Sequence, residues 1–160
     1  MTVENQESAN IWPYVGIYLL TTIALSVALI IFAMFFPSWF QGGGQAMNFI
    51  INFAATMTAY SFFVKRHGRL FSRQEYWRIV SFSTIAALLF SALLLAFSLA
   101  TGAIPSGGGG IPAYGWALLI AFAVLLVFGL NAAGYSNRFG NNLLKAHRAK
   151  QTPLDTKPFQ

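Results

Sequence analysis

The sequence predicts an all-α integral membrane protein, a four-helix bundle made of two transmembrane hairpins. Three observations carry this. Hydrophobic residues make up 56% of the 160 residues and charged residues only 9%, against roughly 25% charged in a typical soluble domain. Positions 8–64 and 79–137 contain no Lys, Arg, Asp or Glu, and each stretch is long enough for two passes of about 20 residues. Each is also interrupted once by Gly and Pro, at PSWFQGGGQ (37–45) and TGAIPSGGGGIPAYG (101–115), and such runs end helices and make turns.

The predicted spans are 11–36, 46–64, 76–100 and 113–135. They follow an N-terminal segment, 1–10, and precede a basic tail, 138–160. Span one, IWPYVGIYLLTTIALSVALIIFAMFF, is too long for a signal-peptide core and lacks a basic region before it, so it reads as a retained span. Barrel strands are excluded, because the runs far exceed about 10 residues and show no period of two. With no cysteine in the chain, disulfides and thiolate chemistry are excluded.

The bases lie in two clusters. Lys65, Arg66, Arg69, Arg73 and Arg78 surround the loop 65–75, and Arg138, Lys145, Arg148, Lys150 and Lys157 follow span four. The Gly/Pro breaks carry none. The positive-inside rule therefore places the middle loop and both termini in the cytoplasm. Basic clusters flanking apolar spans suit an anionic leaflet rather than nucleic acid. The five loop bases are candidates for lipid-headgroup contact.

Ser72 and Glu75 form an S-x-x-E capping box at the start of span three. Gly68 permits a tight turn before it. Trp12 with Tyr14, Trp39, Tyr76 with Trp77, and Tyr114 with Trp116 suit the headgroup layer. In span two, Asn48, Asn52 and Thr56 recur every four residues and share a face, as a polar path or as interhelical packing bonds. In span three, Thr84, Ala87, Ser91, Ser98 and Thr101 form a small, hydroxylated stripe. In span four, Ala117 with Ala121 and Gly129 with Ala133 are small-x-x-x-small pairs, expected to pack inside the bundle. Asn131 is placed to join the asparagine network or to cap its helix. Residues 141–150 are expected to form a short amphipathic helix on the membrane surface.

The spans contain no ionisable acid or base, which argues against proton- or ion-coupled transport. His67 and His147 read as solvated. There is no nucleophile–base pair, phosphate loop or metal-ligand spacing. No catalytic, cofactor-binding or metal-ligating residue is expected.

The segment SFFVKRHGRLFSRQEYWRIVSFS (61–83) resembles the central loop of the AciT-like group of small bacterial inner-membrane proteins. In that group the second span ends in an aromatic-rich run plus Lys, and an Arg, a Ser/Thr-x-x-Glu helix start and further bases follow. The matching positions are Phe62, Phe63, Lys65, Arg69, Ser72 and Glu75. The resemblance implies a four-span protein of the bacterial inner membrane with a part in envelope homeostasis or toxic-compound tolerance. It implies no catalytic residue or substrate. The expected function is therefore non-enzymatic, exerted through helix packing as a homo-oligomer or an accessory subunit. The alternative is a small channel or transporter with its path along span two.

Overall fold

The computed structural model describes residues 9–40, 44–101 and 112–151. The chain folds as α1 (Trp12–Phe35), a short 3₁₀ turn (Pro37–Phe40), α2 (Gly44–His67), α3 (Arg73–Ala100), α4 (Ala113–Gly134) and α5 (Asn137–Gln151). Four of these helices are long and apolar enough to cross a membrane, and they pack as a bundle. The glycine runs at 41–43 and 102–111 and the side chain of Trp39 lie outside the described residues.

Local chemistry accounts for the helix ends. Pro13 sits in the first turn of α1, where a missing N–H goes unfelt. Phe36 leaves helical geometry ahead of Pro37, as a residue before proline must. α2 ends on Lys65, Arg66 and His67, and the Lys and Arg charges sit at the negative end of the helix dipole. Gly68 then takes φ 62° and donates its N–H to Val64 O at 2.8 Å. A side chain in that left-handed region costs about 1 kcal/mol or more. α3 opens with the Ser72/Glu75 box fully formed.

Around the bundle the helices run α1, α2, α4, α3, each packed on two neighbours, and α5 lies against α2. The buried core occupies only one half, the end that carries the basic loop. It draws on Tyr14, Val15, Tyr18, Ala55, Ala59, Tyr60, Phe63, Val64, Phe71, Ile79, Val80, Ala87 and Tyr135. Towards the glycine-rich end α1 and α2 still share an apolar groove, from Leu25 to Phe32 and from Met47 to Ala54, but α3 and α4 are bare. Every residue from Ser91 to Phe97 and from Trp116 to Ala123 is exposed, about two turns of each helix bare around the whole circumference.

Several expectations need correction. Ala117, Ala121, Gly129 and Ala133 are exposed rather than packed inside, and nothing approaches Gly129. Alanine and glycine sit in lipid without penalty, so their spacing does not identify a packed face. The small residue that does pack is Gly134, where a Cβ would meet Thr56 Cγ2 at 2.5 Å. The α3 stripe divides, with Thr84 and Ala87 buried but Ser91 and Thr101 exposed. Tyr14 is buried at the basic end rather than lipid-facing, its hydroxyl beside His67. α5 begins at Asn137, ahead of the expected 141–150, and packs Leu143 and Leu144 against the core.

Candidate functional site

Glu75 is the only acid among the described residues, and it is 1% exposed. A buried carboxylate persists only if its lone pairs are filled and its charge is matched. Both conditions hold. Arg69 donates Nη1 to Oε2 at 2.7 Å and Nη2 to Oε1 at 2.8 Å, a bidentate pair. Ser72 N–H donates to Oε2 at 2.8 Å and Ala9 N–H to Oε1 at 2.6 Å. The Ser72 hydroxyl accepts Glu75 N–H at 3.3 Å. One side chain thus joins the segment before α1, the α2–α3 loop and the start of α3. Glu75 precedes the apolar run of α3. Burial there pushes its carboxyl up, but the bonds from Arg69, Ser72 and Ala9 and the charge of Arg69 outweigh that and hold it down at about 2. Arg69, bonded to Glu75, is raised in turn.

The guanidinium of Arg69 also lies 5.4 Å from the centroid of the Phe63 ring. That ring stacks on Phe71 at 3.9 Å and on His67 at 4.5 Å. Tyr60 stacks on Phe71 at 4.9 Å, and Tyr135 meets Phe71 edge-on at 5.9 Å. His67 Nδ1 is 3.2 Å from the Tyr14 hydroxyl and 3.3 Å from Phe63 O. His67 is exposed, yet it is part of an aromatic wall rather than simply solvated.

Beneath this wall a hydrogen-bonded belt crosses the bundle. Asn52 Nδ2 of α2 donates to the Tyr18 hydroxyl of α1 at 2.9 Å. The Thr56 hydroxyl of α2 lies 3.3 Å from Asn131 Oδ1 of α4, and 2.8 Å from Asn52 O, which competes for its proton. Asn131 Nδ2 donates to Thr84 Oγ1 of α3 at 3.0 Å. Ser83 and Tyr135 hydroxyls pair at 3.2 Å, and Tyr76 donates to Ala132 O at 2.9 Å. The route α1–α2–α4–α3 is the order of the helices, and the Ala9–Glu75 bond spans the remaining side between α1 and α3. Each interhelical bond in an apolar medium contributes about 0.6 kcal/mol, with a ceiling near 2. Asn52 Oδ1 and the Tyr60 hydroxyl are buried without a partner among the described residues.

The structure brings only part of the predicted polar face together. Thr56 is buried, Asn52 is half-buried, and Asn48 is exposed, one turn beyond the packed half. The five loop bases also divide. Arg69 turns inward to Glu75. The Lys65 ammonium sits 5.7 Å from the Phe62 ring centroid. Arg66 borders a small cleft with Asn10, Tyr14 and His67, Arg73 lines a larger cavity, and Arg78 is exposed. Sequence reasoning missed Ala9, Tyr18 and the Arg69–Glu75 pair. One signal for the pair was legible: Glu75 is the sole acid between Glu7 and Asp155, with bases on both sides. Among the described residues no group of three His, Cys, Asp or Glu could hold a metal ion.

Comparison with known protein families, with characterised proteins and with solved structures finds no match. The functional reading therefore rests on the geometry of this chain.

Proposed function

We propose that this chain is a non-enzymatic membrane protein that acts by lateral association, with a second copy of itself or as a subunit of a larger complex. The observation that carries the reading is the bare circumference of α3 at 91–97 and of α4 at 116–123. A helix inside a closed bundle turns one face to its neighbours. Here two adjacent helices turn none over about two turns, so the glycine-rich half offers seats for other helices. Ala117 and Ala121 on α4 would let another backbone come close. The non-enzymatic reading is supported by Glu75, the sole described acid, being bound on both oxygens by structural donors.

The setting is the bacterial inner membrane, with the basic loop and both termini cytoplasmic. All ten Lys and Arg fall in two clusters, one between spans two and three and one after span four, and the resemblance to the AciT-like group supports a role in envelope homeostasis or toxic-compound tolerance. The exposed loop bases meet anionic headgroups there. A reporter active only outside the cytoplasm, fused at Gly68, should stay silent.

Because the chain has no cysteine, Ala121→Cys gives a single clean thiol. Oxidation in native membranes should produce a disulfide-linked dimer or a mixed disulfide with another membrane protein. A monodisperse monomer, uncrosslinked and without a partner after lipid-preserving extraction, would end this reading.

The channel alternative is favoured by one observation, the buried and unpartnered Asn52 Oδ1. The wall of Tyr60, Phe63, Phe71 and Tyr135 closes any such path at the basic end. Flux through wild-type liposomes that vanishes in Asn48→Leu with Asn52→Leu would establish it; silence from the wild type for every ion and cationic drug tried would dismiss it.

A further inference from the structure

A cavity of about 450 Å³ opens at the basic end between the start of α3 and the α4–α5 turn, lined by Phe71, Arg73, Tyr76, Trp77, Ser136 and Asn137. We propose that it binds the phosphate of an anionic phospholipid. This rests on, and narrows, the headgroup contact proposed above.

Its polar wall is built of donors. The Arg73 guanidinium, the Trp77 indole N–H, the Ser136 hydroxyl and the Asn137 amide can all donate. The Tyr76 proton is committed to Ala132 O. Ser136 and Asn137 stand at the start of α5, a helix of 15 residues. The first N–H groups of a helix lack helical carbonyls, and that end of the dipole is positive.

Among the described residues the arginines at this end find no free carboxylate. α5 has no acid in its first turn. It has instead Arg138, a cation at the positive end, which is the unfavourable placement. No carboxylate among the described residues remains for Arg73, because both oxygens of Glu75 are taken by Arg69, Ser72 and Ala9. A guanidinium and a helix start thus meet at the cavity, where the described residues supply no anion. A phosphate group supplies it and accepts from several donors at once.

Lipid, rather than soluble phosphate, suits what lies next to the cavity. Trp77 is 48% exposed and lies parallel to Phe128 at 6.2 Å. Amphipathic rings settle at headgroup depth. Further along α3 and α4, Ile85, Leu89 and Leu125 are exposed and give acyl chains an apolar surface to follow.

The test counts lipids retained on the full-length chain, by native mass spectrometry, from nanodiscs of phosphatidylcholine with a minor share of phosphatidylglycerol. Wild type should retain phosphatidylglycerol in preference to phosphatidylcholine, and Arg73→Gln should weaken that retention roughly tenfold, the loss expected for one charged hydrogen bond. Arg78→Gln, an exposed base outside the cavity that makes only the general headgroup contact, should weaken it distinctly less, by about twofold. Asn137→Asp separates binding from folding. An acid at a helix start favours the helix but repels an anion, so this variant should melt no lower than wild type and still lose phosphatidylglycerol. Equal retention by Arg73→Gln and wild type, or an unaffected Asn137→Asp, overturns the proposal. Equal losses from Arg73→Gln and Arg78→Gln leave general headgroup contact standing and sink the cavity. No preference for phosphatidylglycerol in the wild type sinks both. Displacement of the lipid by inorganic phosphate overturns the assignment to lipid.

Discussion

Replacing Glu75 with glutamine keeps the side-chain shape and removes the charge that Arg69 faces. It also replaces one acceptor oxygen by an NH₂, so one edge of the four-donor cage around Glu75 becomes a donor-to-donor contact. Two estimates of the loss agree. A carboxyl held at about 2 instead of its ordinary 4.5 represents about 3 kcal/mol of stabilisation. Removing one partner of a buried ion pair costs about 3–5 kcal/mol, and the low end applies because the Arg69 side chain is 24% exposed. Reversible unfolding in mixed micelles should therefore show Glu75→Gln less stable by about 3 kcal/mol. Hydrogen exchange should quicken at the amides of Ala9 and Ser72, the two backbone donors. The same pair fixes a pH dependence. The folded carboxyl is depressed, so its contribution is complete above 4.5 and is lost as pH falls towards about 2. Wild type should weaken across that window. The difference between wild type and Glu75→Gln, which cancels the titration of Glu4, Glu7 and Asp155, should shrink towards zero. A variant within about 0.5 kcal/mol of wild type, the range of an ordinary surface change, with Ala9 exchange unaltered, would refute the cage.

Further substitutions, each with its own control, probe the helix contacts. Gly134→Ala drives a Cβ to 2.5 Å from Thr56 Cγ2 and should cost about 1–3 kcal/mol as overpacking; Thr56→Ser, which deletes that methyl and keeps the hydroxyl, should recover much of the loss in a double-mutant cycle. Gly140→Ala places its Cβ onto the Tyr60 hydroxyl and should loosen α5 from α2, read as faster hydrogen exchange across 137–151, whereas Tyr60→Phe alone should be neutral or stabilising in the same unfolding assay, because the hydroxyl it removes is buried and unpaired. Asn131→Leu breaks the α2–α4 and α4–α3 links together and should lower stability by about 1–2 kcal/mol, more than Asn48→Leu, whose side chain lies outside the packed half.

The sequence makes legible what composition and local spacing control. Lipid-crossing length shows as uninterrupted neutrality, hairpins as paired Gly/Pro breaks, and the start of α3 as S-x-x-E, a pattern closed within four residues. The contacts that complete the Glu75 cage are not of that kind. Arg69 reaches back through a loop six residues long in sequence separation, and Ala9 arrives from 66 residues away; no periodicity encodes either. The asparagine face illustrates a different limit. A four-residue repeat places Asn48, Asn52 and Thr56 on one side of α2, but whether that side is covered depends on how far along the helix the bundle stays closed. The covering stops between Asn52 and Asn48, where the polar partners of the belt end.

The contrast between the covered and the bare half follows from where the cohesive groups lie. In lipid, apolar side chains gain little by leaving acyl chains for one another, so cohesion comes from close packing and hydrogen bonds. The described interhelical side-chain bonds start at Tyr18, Asn52, Thr84 and Asn131 and run towards the basic end, ending at the Glu75 cage. Beyond them α3 reads LLFSALLLAFSLA and α4 begins AYGWALLIAFAVLL, residues that lipid solvates as well as a neighbouring helix does. One half of the molecule is thus held by specific bonds, and the other half has only packing to hold it. A partner helix that brings its own close packing can enter the open half without breaking a hydrogen bond. The same partner at the basic half would have to displace the belt and the aromatic wall. Association at the glycine-rich half is therefore the low-cost route, and cross-links from a thiol at position 121 should outnumber those from one placed at position 78, where the bundle is closed.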